Sequence, residues 1–525
     1  MSLLFRLTLF GILVALAAGS FWFFEKSKAD AEFIRNRYVA CLEKSISQPG
    51  ETIDQLISLL KNNENSDDEL ILLFELILES PNHSIEPLLS ILEEKLIEPS
   101  STIEWEIIGT CVLYRQGEFE AAKVKLGQIY KNNPANRRAN YEYQKIRWIL
   151  GGIEERVAAK LALFEIAELK DRWSYKALRV LAFSSPRPGI VKDDLIRALD
   201  DLCSHPLVTS EDFLKASEVL LRVDRGRKFD QVFENINSML GEKVSRVDFG
   251  YWLIQNGQAQ RAMEITSAQE SQTTEDLFFI RFQALLETNQ TAVAQDLFEQ
   301  AAHLSESKKL QANAYLQLSK GSSGVLNQFL EGAQELNQAP TLLDVARLAL
   351  LHGDGPVAYR AFQGAWKINP LQFNLSQANQ FLQVSLSSRN SKEAHQITRE
   401  IHRRYPEKFG NANNHCYLSL LLGEDLVAQK KEALRLTTAF PGNPTFLSTL
   451  ALAELLNGDP KEALRAMNQR GPVPLNHGEK ALLACILEAA GNKEDAVELA
   501  NGLEEHRMLP EEWNMLKKHR MVESQ

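Results

Sequence analysis

The sequence predicts an all-α protein built as a solenoid, an array of helix–turn–helix units stacked along the chain. Turn signals recur at nearly constant intervals over most of the 525 residues. The apolar residues between these turns have the spacing of helices, with one apolar stripe per helix. No alternating apolar run lies between hairpin turns, as a sheet would require. A solenoid is one quasi-linear body of any length, so the number of residues does not predict several separate domains.

The chain begins with a predicted transmembrane helix. Residues 1–6 form a short tail, and residues 7–24 carry no charge over a length of about 27 Å as a helix, close to the hydrocarbon thickness of a bilayer. A cleaved signal peptide is the alternative, since small residues at 17–19 offer a cleavage site. Four aromatic residues at 21–24 continue past that site and resemble an interfacial belt, which favours an uncleaved signal anchor.

An acidic membrane-proximal region follows at residues 25–100. Residues 51–100 hold twelve acidic and two basic side chains, so they carry nearly all of the net charge of −11. The apolar residues here keep helical spacing, and Ser66 with Glu69 predicts a capping box. We therefore expect folded helices in place of a disordered acidic tail.

The repeat region is predicted at residues 101–508. Its clearest turns are 32 to 37 residues apart, at Gly257, Asn289, Gly321, Gly353, Asn390, Gly423, Gly458 and Gly491. Seven of these eight turns lead within five residues to an alanine, namely Ala262, Ala294, Ala358, Ala394, Ala428, Ala463 and Ala496. Upstream turns at Gly117 and Gly152, with weaker ones near Pro186 and Gly226, continue the spacing.

One unit, residues 341–370, shows why small side chains recur. Ala346, Ala358 and Ala365 allow close approach of helices, while Phe362 fills the space between units. With the turn at Gly353 and a closing proline, this unit resembles the tetratricopeptide-repeat family, whose repeat has 34 residues. The resemblance implies a right-handed α-solenoid of such repeats, with Phe362 and Phe298 buried between units.

Helix ends are also predicted. Thr341, Ser391 and Asn492 are expected to cap helices, as is Asp459 before a proline at the first helical position. Residues 509–525 are predicted to form a capping helix and tail, since acidic residues open this segment and basic residues close it.

The sequence shows no pattern for chemistry. The five cysteines lie far apart and contain no C-x-x-C, so neither a metal site nor a disulfide framework is predicted. No phosphate-binding loop or hydrolase motif occurs. His395 and His402 share a helix with several arginines, which favours a solvated face over a metal site. We predict no catalytic residue, no cofactor and no small-molecule substrate, and the acidic balance disfavours nucleic acid.

The resemblance implies a protein partner bound in the concave groove along the first helices of the repeats. In the unit around Gly353 the residues expected to face that groove are Leu343, Arg347 and Leu350. Ordinary packing between neighbours is the alternative for the two leucines.

These observations predict a membrane-tethered scaffold or adaptor that mediates protein–protein interaction, with assembly of an envelope complex as its expected setting. The bilayer would hold residues 7–24 of this single-pass protein. The body is placed on the extracytoplasmic (periplasmic) side in preference to the cytoplasm. Two alternatives stay open: an enzyme whose active site is hidden in the solenoid, and a secreted repeat protein with a cleaved signal peptide.

Overall fold

The computed structural model describes residues 28, 31–62, 64–98, 102–184, 191–224 and 226–519. Within these residues there are 29 α-helices, and the β-structure is limited to an isolated bridge between Leu240 and Val244. The all-α helical-repeat fold predicted from the sequence is confirmed for this part of the chain. The predicted membrane helix at residues 7–24 lies outside it, and among the described helices none is both long and apolar enough to cross a membrane.

The helices fall into two compact units. Unit 1 comprises the described residues of Met1–Leu113 together with Val124–Asn140, and unit 2 comprises Tyr114–Lys123 and those of Tyr141–Gln525. The first helices in chain order are α1 (31–47), α2 (Pro49–Lys61), α3 (Asp67–Glu79), α4 (Leu89–Ile97), α5 (Ile103–Arg115) and α6 (Phe119–Asn132). The sequence-based domain boundaries at residues 24, 100 and 508 stay predictions.

Unit 1 shows that the acidic region folds as expected. The Ser66 hydroxyl accepts a hydrogen bond from the Glu69 backbone N–H at 3.3 Å, and Glu69 in turn accepts from the Ser66 N–H, which confirms the capping box. Glu69 is buried and also pairs with Arg37 at 2.6 Å. Burial raises the pKa of this carboxyl, but the hydrogen bonds from Arg37 and Ser66 outweigh burial, so the pKa is lowered. The core of unit 1 includes an edge-to-face contact between Phe74 and Trp105, whose ring centroids are 5.6 Å apart.

Unit 2 holds most of the repeats. The helices before the regular ladder are α7 (Arg137–Leu150), α8 (Ile153–Ala167), α9 (Arg172–Phe183), α10 (Lys192–Ser204), α11 (Ser210–Val223) and α12 (Phe229–Ser238). The first helices of the ladder are α13 (Arg246–Gln255), α15 (Glu275–Glu287), α17 (Glu306–Ser319), α19 (Ala339–Leu351), α21 (Leu375–Ser387), α23 (Phe409–Leu422), α25 (Pro444–Leu456) and α27 (His477–Ala489). The second helices are α14 (Ala259–Ile265), α16 (Thr291–Glu299), α18 (Val325–Leu336), α20 (Gly355–Ile368), α22 (Ser391–Arg404), α24 (Leu426–Ala439), α26 (Pro460–Gln469) and α28 (Lys493–Ala500). The last helix is α29 (Pro510–Lys518).

Each first helix is joined to its second helix by a turn with at least one residue in the left-handed conformation. At Gly353 φ is +72°, a conformation that glycine adopts without steric cost. The equivalent residues with positive φ are Gly257, Asn289, Gly321, Arg389, Gly423, Gly458 and Gly491. The sequence had placed the fifth turn at Asn390, but Arg389 takes the left-handed conformation and Asn390 caps α22 by accepting from the Glu393 N–H at 3.2 Å.

Small residues line the helix contacts, as predicted from the unit around Gly353. Ala346, Ala358 and Ala365 are fully buried, and Phe362 is 1% exposed between the rings of Phe373 and Phe381. The alanine positions after five other turns are also buried, at Ala262, Ala294, Ala394, Ala463 and Ala496.

Ala428 differs from these alanines: it is exposed, because α24 turns Ala433 and Leu436 toward the core instead. Three sequence-based expectations are wrong. Phe298 is only partly buried, at the edge of its cluster. Thr341 does not cap α19, which begins two residues earlier; its hydroxyl is buried and lies 2.7 Å from that of Ser307. Ser391 is the first residue of α22 and not its cap. The Asp459 cap before Pro460 is confirmed.

Unit 2 also contains contacts between elements far apart in the sequence. The ring of Phe119 lies 6.1 Å from that of Phe409, and the guanidinium of Arg435 lies 5.1 Å from the Phe119 ring centroid. A second pair, Arg156 and Phe440, makes a similar contact at 5.6 Å. Unit 2 is therefore not held together by neighbouring repeats alone.

Candidate protein-binding groove

The first helices of unit 2 form a common face. From α13 through α19 each first helix contacts the next first helix as well as its own second helix. The exposed side of these helices is continuous over four repeats, and we call this surface, from α13 to α19, the open stretch. The corresponding face along all the first helices of the ladder is called the groove.

A row of polar side chains runs along the open stretch. Tyr251, Gln283, Tyr315 and Arg347 are each 32 residues apart, and each lies six residues before the left-handed turn residue of its own repeat. Identical register in successive repeats places side chains above one another on the same face. The sequence analysis did not predict this row, although the spacing of 32 residues between Tyr315 and Arg347 indicates it.

Hydrogen bonds and ion pairs connect this row to charged side chains on the same or the adjacent first helix. The Tyr251 hydroxyl donates to Asp276 at 3.1 Å, and Arg347 Nη2 donates to the Tyr315 hydroxyl at 2.9 Å. Asp344 lies 3.7 Å from both Lys308 Nζ and Arg347 Nη2. The open stretch therefore presents phenol, carboxylate and guanidinium groups on one surface.

The pKa shifts indicate that these groups are partly shielded from water. Burial raises the pKa of Asp344 even though Lys308 and Arg347 lower it and its side chain is 26% exposed. Burial and the charge of Asp276 raise the pKa of Tyr251, and Asp344 on α19 adds to the effect. These two side chains reach the surface but are partly shielded from water by their neighbours. Such a surface strengthens polar contacts to anything bound there.

The three groove residues predicted from the sequence lie in different environments. Arg347 is 51% exposed in the open stretch, next to Tyr315. Leu343 is 8% exposed and belongs to the core of unit 2, so it packs against neighbouring helices. Leu350 is partly buried against the same core. Contact of any of the three with a partner stays a prediction.

The same face is occupied further along by the carboxy-terminal helix. Tyr417, on α23, holds the same register six residues before Gly423, and its hydroxyl donates to Glu512 Oε1 of α29 at 2.6 Å. Arg389 Nε donates to the Met508 carbonyl at 2.9 Å, and Ser391 bonds to Glu511. Helix α29 thus lies across α23 and α27 as a segment bound in the groove. Only its helical nature and charge order were predictable from the sequence.

Glycine provides the space for this contact. A Cβ at Gly478, in the first turn of α27, would overlap the carboxyl of Glu512. Burial raises the pKa of that carboxyl, although Tyr417 and the Leu509 N–H donate to it. A cavity of about 410 Å³ lies beside α29 and is lined in part by Arg389, Tyr417, His477 and Glu512.

We expect Gly478→Ala to loosen α29 by about 1 kcal/mol, because the added methyl group displaces Glu512 from the Tyr417 hydroxyl. The measurement is amide hydrogen exchange in residues 510–518, which should become faster than in the parent chain. Gly410→Ala is the matched control, since a Cβ at Gly410 meets no atom within 4 Å. Unchanged exchange in the Gly478 variant, or equal acceleration in both, would contradict the role of this contact.

Three histidines form a stack between α22 and α23, contrary to the solvated face expected for His395 and His402. The rings of His395 and His415 are 5.0 Å apart and those of His402 and His415 are 5.6 Å apart. His395 is 2% exposed. No group of histidine, cysteine or acidic residues among the described residues is arranged to hold a metal ion.

One arrangement in this stack resembles a catalytic triad. His395 Nε2 lies 2.8 Å from the Ser419 hydroxyl, and His395 Nδ1 lies 3.5 Å from Glu424. Ser419 is 1% exposed in the last turn of α23, so no substrate carbonyl reaches it, and its backbone N–H belongs to the helix. These contacts therefore support packing and do not supply nucleophilic catalysis.

Comparison with known proteins adds little. No protein-family model matches the chain, and no curated protein sequence matches it. Among solved structures, a chain of the complex described as "APC/C hetero-tetramer Cut9-Hcn1" matches at 12% identity with a TM-score of 0.25. The match covers 82% of this chain and 90% of that one. At this identity and TM-score the match says nothing about what this chain binds.

Proposed function

We propose that this protein is a scaffold that binds a segment of a partner protein in the open stretch of the groove. The observation that carries the proposal is the row Tyr251, Tyr315 and Arg347, whose partly or fully exposed side chains share one register along the first helices; Gln283, in the same register, is buried. Tyr417, in the same register two repeats beyond Arg347, already contacts a helix from elsewhere in the chain. Because a tyrosine in this register holds α29 at one place, we infer that the same register holds a partner segment in the open stretch.

Site-specific photocrosslinking in cells that express the full chain tests this proposal. A photoreactive residue at Ser319, exposed one turn beyond Tyr315, is compared with one at Glu331, exposed on the second helix α18. We expect a discrete crosslinked partner from position 319 and none from position 331. The same products from both positions, or none from 319, would argue against a partner in the open stretch.

We also propose that the scaffold is tethered to a membrane by residues 7–24, with its body on the extracytoplasmic side, where it takes part in assembling an envelope complex. The support is the uncharged apolar run and its aromatic end at residues 21–24. A reporter that is active only outside the cytoplasm, fused after Gln525, should be active. Activity solely of a cytoplasmic reporter would reverse the orientation, and release of the protein without detergent would contradict the tether.

A further inference from the structure

We propose that Tyr315 and Arg347 form a binding site for a carboxylate, specifically a glutamate or aspartate side chain of the partner segment. This inference rests on the proposed function, because it names the chemistry of what binds in the open stretch. The site lies in the open stretch, where Arg347 Nη2 and the Tyr315 hydroxyl, from successive repeats, are 2.9 Å apart.

The first argument is the number of hydrogen-bond donors. The Tyr315 hydroxyl accepts from Arg347, and in the described part of the chain its own proton has no acceptor. Arg347 has five N–H donors and is 51% exposed; its distance of 3.7 Å to Asp344 is longer than a hydrogen bond. The pair therefore presents unused donors from a phenol and a guanidinium at the same place. A carboxylate, which has two acceptor oxygens, matches two adjacent donors of this kind.

The second argument comes from the occupied part of the groove. Tyr417 has the same register as Tyr315, six residues before the turn, and its hydroxyl donates to the Glu512 carboxylate at 2.6 Å. Glu512 belongs to a segment 95 residues further along the chain. The molecule thus contains one example of a segment bound on this face through a tyrosine and a carboxylate. The open stretch repeats the tyrosine and adds an arginine.

Acidic side chains near Tyr315 and Arg347 affect the binding of a carboxylate at this site. Asp276 accepts a hydrogen bond from Tyr251, and the positive charges of Lys308 and Arg347, each 3.7 Å from Asp344, offset the charge of that carboxylate without a hydrogen bond. Asp344 and Glu287 both add to the negative potential at Tyr315, Asp344 more than Glu287, so both oppose the binding of an anionic ligand. A basic partner segment is the competing possibility, and it would contact Glu287 in place of Arg347.

The experiment uses the full chain and a library of random 15-residue peptides, from which binders are selected and the best is synthesised. We expect it to contain an essential glutamate or aspartate. Changing that residue to its amide should weaken binding by about tenfold, the effect of losing a charge-assisted hydrogen bond. Arg347→Gln should weaken binding by a similar factor, and Tyr315→Phe by less.

A double-mutant cycle identifies the contact. The amide form of the peptide should bind the Arg347→Gln protein no more weakly than the acidic form does, because the two changes remove the same interaction. Arg360→Gln, on the second helix α20, is the control with the same loss of charge, and it should leave the affinity unchanged.

The outcomes separate this inference from the proposed function. Peptides that need a lysine or arginine, and that weaken with Glu287→Gln while Arg347→Gln has no effect, would overturn the carboxylate site and leave the groove as a protein-binding surface. Peptides whose binding is insensitive to all changes along the open stretch, or the absence of any binder, would overturn both.

Discussion

Phe362→Ala is expected to lower the free energy of unfolding of unit 2 by about 3–5 kcal/mol, the range measured for aromatic residues removed from well-packed cores. The ring is 1% exposed and lies 5.6 Å from the ring of Phe381 and 6.0 Å from that of Phe373. Its removal leaves a cavity between α20 and the next repeat, which fully buried alanines such as Ala358 and Ala365 are too small to fill.

Urea unfolding followed by circular dichroism measures this loss, and hydrogen exchange locates it near α19 to α21. Phe298→Ala is the matched control, because its ring is only partly buried and contacts Phe282 at 6.4 Å at the edge of its cluster. We expect it to cost less than half as much. Equal losses for the two variants would show that the packing assigned to Phe362 is wrong.

Acid is expected to destabilise unit 2 through the histidine stack. Burial, with the nearby His402 and His395, lowers the pKa of His415 to about 3. Burial also lowers the pKa values of His395 and His402; Glu424 and Glu432 oppose the shifts, while Arg399 and Arg435 reinforce them. In the unfolded chain these histidines bind protons near pH 6.5. Above that pH the histidines do not reduce the free energy of unfolding, and below it the free energy of unfolding decreases. For His415 alone the loss reaches about 2 kcal/mol at pH 5.

Urea unfolding at pH 7.5 and at pH 5 tests this expectation. His415→Phe keeps a ring in the stack and removes the titrating group, so the difference in unfolding free energy between the two pH values should shrink. His506→Gln, at a side chain that is 72% exposed, should leave that difference unchanged. A His415→Phe protein that loses as much stability in acid as the parent chain would assign the acid sensitivity to other groups.

The sequence by itself predicted the helices, the turns and most of the small residues between them. These features are local: an apolar stripe requires only a period of 3.6 residues, and a left-handed turn such as that at Gly353 requires one suitable residue. The capping box at Ser66 and the cap at Asp459 were predictable for the same reason, because each involves residues three positions apart.

The sequence misled at single positions where contacts with neighbouring repeats select one of two conformations that the local sequence allows. Arg389 takes the left-handed conformation, although Asn390 beside it tolerates that conformation better, because Asn390 caps α22 instead. Ala428 follows its turn at the usual distance but is exposed, since α24 turns a different face inward. Rotation of a helix about its axis depends on the helices that pack against it, and the local sequence does not contain that information.

The groove and the histidine stack were decided by tertiary structure alone. Arg347 was expected to face the groove, but its hydrogen bond to Tyr315 depends on how two successive repeats stack. His415 comes from the next helix to complete the stack of His395 and His402. Glu512 reaches Tyr417 across 95 residues of sequence, and it fits because Gly478 has no side chain. Periodicity within the chain predicts which helices form, whereas contacts between distant residues depend on the geometry of the folded array, which is settled only when all its helices pack together.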